Sequence, residues 1–235
     1  MNLLLLSNST TWGRGFLDHA AEEIVRFLSP RRRVLFVPFA IHDQAAYAEK
    51  VGGRLADLGF EVDRATADGQ GIRAVERAEA IFVGGGNTFR LLDGLLRSGL
   101  AEAIMQRVAA GMPYLGASAG TGVTSPTLKT TNDMPIVRPP SFGALGLVPF
   151  QFNCHYLDPD PSSRHMGETR ELRIREFHEE NEYPVLGLRE GTWVLRRGSQ
   201  LTLGGEPGAR LFRRGAEPEE FLPGADLSFL LGGGA

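Results

Sequence analysis

The sequence predicts an α/β protein whose mostly parallel sheet is covered by helices on both faces. Short apolar runs that are typical of buried strands alternate with amphipathic segments at helical spacing, and at least five such runs precede residue 120. Several runs end in glycine or in small polar residues, as strands do where they open into loops. Ligands of such sheets bind beyond the carboxyl ends of the strands, so we expect the functional site at that edge.

The first half of the chain supplies the repeating strand and helix units. Leu3 to Leu6 is an apolar run that opens into polar residues, which indicates a buried parallel strand. Asn87 follows the three glycines that end the fourth run, and it is placed to cap the next helix. The predicted strands are 3–6, 33–39, 60–65, 80–83 and 113–115, and the predicted helices include 16–28, 44–58 and 72–78.

The second half of the chain has a different texture. Residues 121–140 are rich in Thr, Pro and Gly without a period, and they are long enough to form a loop that covers a site. Residues 150–155 alternate strictly, which places Phe152 and Cys154 on one face of a strand and His155 on its polar face. The remaining predicted elements are a helix over 167–181, a buried strand over 185–188 and a hairpin over 193–203 that turns at 198–199.

The composition is that of an ordinary globular protein. Hydrophobic residues make up 42% of the 235 residues, charged residues make up 23%, and the formal net charge is -3, which disfavours nucleic acid as a partner. No apolar run approaches the length of a membrane span. The single cysteine, Cys154, excludes an intramolecular disulfide, and the first residues lack the positive flank of a signal peptide. We therefore expect one domain over 1–235, in the cytoplasm and without a membrane partner.

A nucleophile elbow lies at Gly116-Ala-Ser-Ala-Gly120, directly after the fifth predicted strand. In this G-x-S-x-G motif a tight strand-to-helix turn holds the hydroxyl of the serine, here Ser118, above the edge of the sheet. Side chains two residues before and two residues after the serine would clash, so glycine occupies both positions. The motif predicts Ser118 as a nucleophile.

A serine nucleophile needs a base within hydrogen-bond reach and a carboxylate that orients the base. Of the five histidines, His155 ends a strand on its polar side, where a site beside the elbow would lie. Cys154 is its neighbour on the strand and points to the opposite face, so we interpret it as a small core residue.

The orienting carboxylate has two candidates, Asp133 and Glu190. Asp133 gives the chain order Ser, Asp, His that is known from α/β-hydrolases, whereas Glu190 follows a buried strand and has the better strand-end location. The sequence leaves both open.

The three glycines 84–86 and Asn87 also have two interpretations. They form a tight turn with a helix cap, and the amide of Gly86 could complete an oxyanion hole with the amide of Ala119. A phosphate cradle is a third interpretation, but the chain contains none of the glycine-rich phosphate motifs.

Two arginines open the predicted helix over 167–181. Arg170, Arg173, Ile174 and Phe177 share one helical stripe, which becomes apolar toward its carboxyl end. If the apolar part faces the core, the arginines lie at the helix N-terminus, where they could clamp a carboxylate. The alternative is a solvated face held by pairs of side chains four residues apart.

The chain resembles the peptidase E family of bacterial aspartyl dipeptidases, serine peptidases that are distantly related to cyanophycinase. The resemblance covers nearly the whole length and rests on six segments that together are far more specific than the elbow alone. These segments are 82–89, 116–120, 130–136, 152–156, 167–171 and 189–193.

The resemblance implies a fold like that of class I glutamine amidotransferases, a flavodoxin-like sandwich of three layers. In that fold the elbow normally carries cysteine, whereas here it carries Ser118, which favours an ester intermediate over a thioester. The resemblance further implies His155 as the general base and the amides of Gly86 and Ala119 as oxyanion donors. Asp133 and Glu190 both lie in matching motifs.

The substrate implied by the resemblance is a dipeptide, or another short peptide, that begins with aspartate. Arg170 and Arg173 match arginines that would recognise the acidic side chain, and Asn87 is a further candidate for substrate binding. The resemblance implies a hydrolase without cofactor or metal, and it leaves a homodimer open as the assembly.

Two other functions fit parts of the sequence. A serine esterase of α/β-hydrolase type shares the elbow and the order Ser, Asp, His, although the paired arginines and the three glycines argue against it. A catalytically silent member of the fold that binds small molecules or a protein partner is the second alternative, and the presence of Ser118 together with His155 disfavours it.

Overall fold

The computed structural model describes residues 1–160, 162, 164 and 166–232. Its strands in chain order are β1 (Asn2–Leu6), β2 (Arg33–Val37), β3 (Glu61–Arg64), β4 (Ala80–Val83), β5 (Tyr114–Ala117), β6 (Gln151–Cys154), β7 (Val185–Leu188), β8 (Thr192–Arg197), β9 (Gln200–Gly205), β10 (Ala209–Phe212) and β11 (Glu219–Phe221). Its α-helices are α1 (Ala21–Leu28), α2 (Gln44–Asp57), α3 (Gly69–Arg77), α4 (Thr88–Ser98), α5 (Leu100–Ala109), α6 (Ala119–Gly122) and α7 (Arg170–Glu180). Among the described residues, none of these helices is long and apolar enough to cross a membrane.

Seven strands form the main sheet, in the order β3-β2-β4-β5-β1-β8-β9. The strands from β3 to β1 are parallel to their neighbours, and β8 and β9 are antiparallel additions at one edge. The predicted mostly parallel sheet is therefore confirmed. The hairpin is confirmed as well, because β8 and β9 pair across a two-residue turn at Gly198 and Ser199.

Helices pack on both faces of this sheet, since successive residues of a strand point to opposite sides. Leu3 and Leu5 of β1 belong to one buried cluster that includes side chains of α3, α4 and α5. Leu4 and Leu6 belong to another cluster, with side chains of α1 and α2. All four leucines are fully buried. The result is the three-layer arrangement that the sequence predicts.

A second sheet of four strands, in the order β11-β10-β7-β6, departs from the expectation of a single sheet. β6 and β7 are parallel to each other, and β10 is antiparallel to β7. The physical reason is that β8 already occupies the free edge of β1, so β6 and β7 pair with each other. Phe152 and Leu188 from these strands share a buried cluster with Leu3 and Leu5, which packs the second sheet onto the first.

The predicted elements differ from the observed ones mainly at their ends. The first helix is predicted from residue 16, but α1 begins at Ala21, because Leu17 adopts a left-handed backbone with φ 62° and residues 18–20 form a 3-10 turn. The cap at Asn87 is confirmed, since its Oδ1 accepts a hydrogen bond of 3.0 Å from the amide of Arg90.

Candidate active site

Ser118 lies in a sharp turn between β5 and α6. Its backbone has φ 54° and ψ -110°, a conformation that non-glycine residues rarely adopt and that must be held by the surroundings. A Cβ atom on Gly116 would lie 2.7 Å from the carbonyl oxygen of Gly120, and one on Gly120 would lie 2.0 Å from the carbonyl oxygen of Val83. The predicted need for glycine on both sides of the serine is therefore confirmed.

His155 places its imidazole against the serine hydroxyl. The distance from Ser118 Oγ to His155 Nε2 is 2.8 Å, which is hydrogen-bond length. His155 follows the last residue of β6 and has φ 54°, so a left-handed turn sets its direction. Gln151 and Asn153 on the predicted polar face of β6 are buried.

Glu190 completes a chain of three side chains. Its Oε1 lies 2.7 Å from His155 Nδ1, and the side chains of His155 and Glu190 are 41% and 44% exposed. The parallel pairing of β6 with β7 sets Cys154 opposite Leu188, so residues just beyond both strands come together. The carboxylate can therefore fix the ring orientation and leave Nε2 facing the hydroxyl.

Asp133 is not part of this chain. Its Oδ2 accepts hydrogen bonds from the amide of Thr88 at 2.7 Å and from the hydroxyl of Thr88 at 2.5 Å, at the N-terminus of α4. Of the two candidate carboxylates, the structure brings Glu190 and not Asp133 to the imidazole. The reason is the pairing of β6 with β7, which residue spacing alone does not reveal.

Two polar residues at the end of β1 hold the His155 and Glu190 turns together. The hydroxyl of Ser7 donates to the carbonyl of Leu188 at 2.8 Å and accepts from the amide of His155 at 3.0 Å. The Oδ1 of Asn8 accepts from the amide of Gly191 at 2.9 Å, next to Glu190. The sequence analysis missed both residues, although their place directly after a buried strand of the main sheet was a usable signal.

The candidate oxyanion donors lie next to the nucleophile. Ala119 follows Ser118 and is the first residue of α6. Gly85 is so close that a Cβ there would lie 3.1 Å from the Cβ of Ser118, and Gly86 adopts φ 133° with the carbonyl of Ala40 in the place of a side chain. These glycines let the strand end approach the serine, as an oxyanion site requires.

Asn87 is used within the protein. Besides capping α4, it donates from Nδ2 to the carbonyl of Met134 at 2.9 Å. Both ends of its amide therefore make internal hydrogen bonds. The residue instead ties α4 to the loop that carries Asp133.

Two cavities meet at the nucleophile. One of about 40 Å³ is lined by Ser118, His155 and polar residues of the 127–133 segment, and it has room for roughly three waters. The other, of about 670 Å³, lies on the side of Gly85 and Gly86. Ser118, His155 and Asp133 line both cavities. The segment over 121–140 therefore forms a wall of the site, whereas the sequence suggested a cover.

Arg170 and Arg173 line a separate cleft with Asp158 and Glu168, and neither lines the two cavities at Ser118. Arg173 is half exposed, and its Nε lies 3.3 Å from Glu168 Oε2. Burial lowers the pKa of Arg170, the charge of Arg173 lowers it further, and the charge of Asp133 acts in the opposite sense.

A charged network supports the segments that carry His155 and Glu190. Arg189 forms hydrogen bonds of 2.7 Å with both oxygens of Asp158, and it also pairs with Glu220 at 3.0 Å. The bonds to Asp158, followed by those to Glu220, raise the pKa of Arg189. This bidentate contact links the loop after His155 to the residue before Glu190.

Cys154 lies beside the site without the character of a nucleophile. Burial raises the pKa of its thiol, the charge of Asp133 adds to the effect, and Sγ lies 3.5 Å from the carbonyl of Ser118. A thiol in this state is the neutral, unreactive form. Within the described residues, no three or more His, Cys, Asp or Glu side chains cluster as metal ligands would.

A hydroxyl, an imidazole and a carboxylate joined in this order at the edge of an α/β sheet define the class of serine hydrolases. Residues 3–204 match peptidase family S51, and the chain belongs to that family.

The relatives match this chain over nearly their whole length. Peptidase E of Streptomyces coelicolor is 58% identical over 231 residues, which covers 98% of this chain and 95% of the relative. A Drosophila melanogaster protein described as "Probable alpha-aspartyl dipeptidase" is 47% identical and covers 98% of this chain and 97% of its own length. A solved structure of a peptidase from an acI-B1 actinobacterium superposes with a TM-score of 0.75 over 97% of this chain and 96% of its own, at 19% identity, and shows the shared fold.

Proposed function

We propose that the protein is a serine peptidase that removes aspartate from the amino terminus of dipeptides through an acyl-enzyme. The observation that carries the proposal is the unbroken chain from Ser118 Oγ through His155 to Glu190, with distances of 2.8 and 2.7 Å. The family indicates a peptidase, and the name of the Drosophila relative, "Probable alpha-aspartyl dipeptidase", supplies the substrate class.

The first half of the reaction forms an ester on Ser118. His155 Nε2 takes the hydroxyl proton while Oγ attacks the carbonyl carbon, and Glu190 stabilises the resulting imidazolium. The amides of Gly86 and Ala119 donate to the oxyanion of the tetrahedral intermediate. The intermediate collapses as Nε2 gives its proton to the leaving amine, and the peptide C–N bond breaks.

The second half repeats these roles with water. His155 removes a proton from the water as the water oxygen attacks the ester carbonyl carbon. The bond between that carbon and Ser118 Oγ then breaks, and Nε2 returns the proton to Oγ. The products are free aspartate and the second amino acid. The cavity of about 670 Å³ on the side of Gly85 and Gly86 is large enough for a leaving group of any side chain.

The preference for aspartate rests on Arg170. Arg170 is the first residue of α7 and lines the cleft beside the start of that helix. A guanidinium binds a carboxylate through two parallel hydrogen bonds, and a neutral side chain leaves it without a partner. Arg173 is already paired with Glu168 and plays the smaller part.

One assay tests the proposal: hydrolysis of aspartyl-, glutamyl-, asparaginyl- and leucyl-p-nitroanilide side by side. We expect the aspartyl substrate to be fastest, the glutamyl substrate to lose roughly 10- to 200-fold for one methylene, and the leucyl substrate to lose roughly 10⁴-fold. Ser118→Ala, assayed in parallel, controls for contaminating peptidases. Equal rates on aspartyl and leucyl substrates would point to the broader esterase instead, and an inert wild type would point to the silent binding protein.

A further inference from the structure

The carboxylate of Asp133 lies outside the chain formed by Ser118, His155 and Glu190. It lines both cavities at the nucleophile, yet it makes no contact with the imidazole, whose Nδ1 is bound by Glu190. In the smaller cavity it is the single acidic residue of the lining. A negative charge therefore stands beside Ser118 in addition to the one that orients His155.

The carboxylate is held at one oxygen. Oδ2 accepts both hydrogen bonds from Thr88, and the hydroxyl of Thr131 in turn donates to the hydroxyl of Thr88 at 3.1 Å. Among the described residues, no Lys, Arg or His side chain forms an ion pair with Asp133, in contrast to Asp158 and Glu190. Its second oxygen is thus oriented and still has its acceptor capacity.

The substrate class supplies the missing partner. In a dipeptide the α-ammonium is attached to the carbon next to the carbonyl that Ser118 attacks, so it must lie within a few bond lengths of the nucleophile. Within a peptide, only the amino-terminal residue carries an α-ammonium. We propose that Asp133 binds the α-ammonium of the substrate and so restricts cleavage to the first peptide bond; the assignment rests on the proposed peptidase function.

The charge at Asp133 matches the ammonium end of an aspartyl group. Arg170 lies in a separate cleft with Asp158 and Glu168, so the site that Ser118 and Asp133 share is defined without it. A zwitterionic aspartyl residue can place its ammonium at Asp133 with its carbonyl at Ser118. A peptide with an acylated amino terminus would leave Asp133 without a partner, which is unfavourable for a half-buried charge.

The decisive comparison uses two substrates that differ only in the ammonium group. Aspartyl-p-nitroanilide carries it, and the succinyl mono-p-nitroanilide with a free carboxylate replaces it by hydrogen. Asp133→Asn retains an oxygen that can accept from Thr88. We expect this variant to lower kcat/KM for the aspartyl substrate roughly 10- to 100-fold, the loss of a hydrogen bond to a charged group, and to leave the succinyl substrate within about threefold.

Asp68→Asn is the matched control. Asp68 also accepts amide hydrogen bonds at a helix N-terminus, from Gln70 and Gly71 at the start of α3, but it lines neither cavity. This variant should leave the ratio of aspartyl to succinyl rates unchanged. Equal losses on both substrates in Asp133→Asn would overturn the assignment, because a catalytic or purely structural role does not distinguish them.

A binding measurement separates this inference from the reaction. Calorimetric titration of the Ser118→Ala protein should show aspartyl-leucine binding roughly 10-fold or more tighter than succinyl-leucine, and the added Asp133→Asn change should remove the difference. Equal affinities in Ser118→Ala would contradict the ammonium site even if the peptidase activity is established. Failure of the peptidase function itself would appear separately, as a wild type that binds aspartyl-leucine without hydrolysing it.

Discussion

The elbow and the base-carboxylate pair are built in different ways. Ser118 is marked by a short motif, in which Gly116 and Gly120 allow backbone approaches that no side chain could accommodate. His155 and Glu190 are about 40% exposed and follow strands of the second sheet, where Ser7 and Asn8, directly after β1, hold their backbones. The comparison teaches that the proposed nucleophile has a local sequence signature, whereas the proposed base and carboxylate are brought together only by tertiary pairing.

Removal of the nucleophile should have the largest effect. We expect Ser118→Ala to fold normally and to lose hydrolysis of aspartyl-p-nitroanilide by roughly 10³-fold or more. His155→Ala should be nearly as damaging, and the double variant little worse than either, because the two residues act as a unit. If the loss of activation free energy in the double variant equals the sum of the losses in the two single variants, the two residues do not act as a unit.

The close packing of the elbow against β4 can be broken at a glycine. Gly120→Ala should lower the free energy of unfolding by roughly 3 kcal/mol, because its Cβ would lie 2.0 Å from the carbonyl oxygen of Val83. Gly122→Ala, two residues later in α6, is the control, since nothing lies within 4 Å of its Cβ. Urea unfolding of both variants checks this, and similar midpoints would remove the argument for close approach.

The sequence predicted these two regions unequally, for a physical reason. The elbow and the buried strands around it can be read from short patterns, namely the glycine spacing and the apolar runs. The choice between Asp133 and Glu190 depends on the register of β6 with β7, which pairs Gln151 with Val185. The bridging role of Ser7 depends on contacts with residues more than 100 positions away.

The proposed role of Arg170 in selecting aspartate can be tested with Arg173 as the control. Arg170→Met should narrow the advantage of aspartyl- over leucyl-p-nitroanilide by roughly 10- to 100-fold, because a charged hydrogen-bonding partner is lost. Arg173→Met removes a half-exposed ion pair with Glu168 and should change the ratio by less than about twofold. If both variants keep the wild-type ratio of kcat/KM for aspartyl- over leucyl-p-nitroanilide, the selectivity must come from another part of the site.

A smaller effect is expected at the bridge from β1. Ser7→Ala removes the hydroxyl that accepts from the amide of His155 and should lower kcat roughly 10-fold by loosening the imidazole.

Ser125→Ala is the matched control for this bridge, because the hydroxyl of Ser125 accepts from the amide of Phe152 on the same strand at 3.0 Å. Both variants should lose similar thermal stability, but Ser125→Ala should keep most of its kcat. Parallel losses of kcat in the two variants would reduce Ser7 to a purely structural role.

The central claim is that Glu190 activates Ser118 through His155, whereas Asp133 acts only on the substrate. The most direct measurement is the rate at which a neutral alkyl fluorophosphonate modifies Ser118, followed by mass spectrometry, since this probe carries neither ammonium nor aspartyl carboxylate. Glu190→Gln should slow the modification by roughly 10²-fold or more, and Asp133→Asn should leave it within about threefold of the wild type. A slow Asp133→Asn protein beside a fast Glu190→Gln protein would contradict the account.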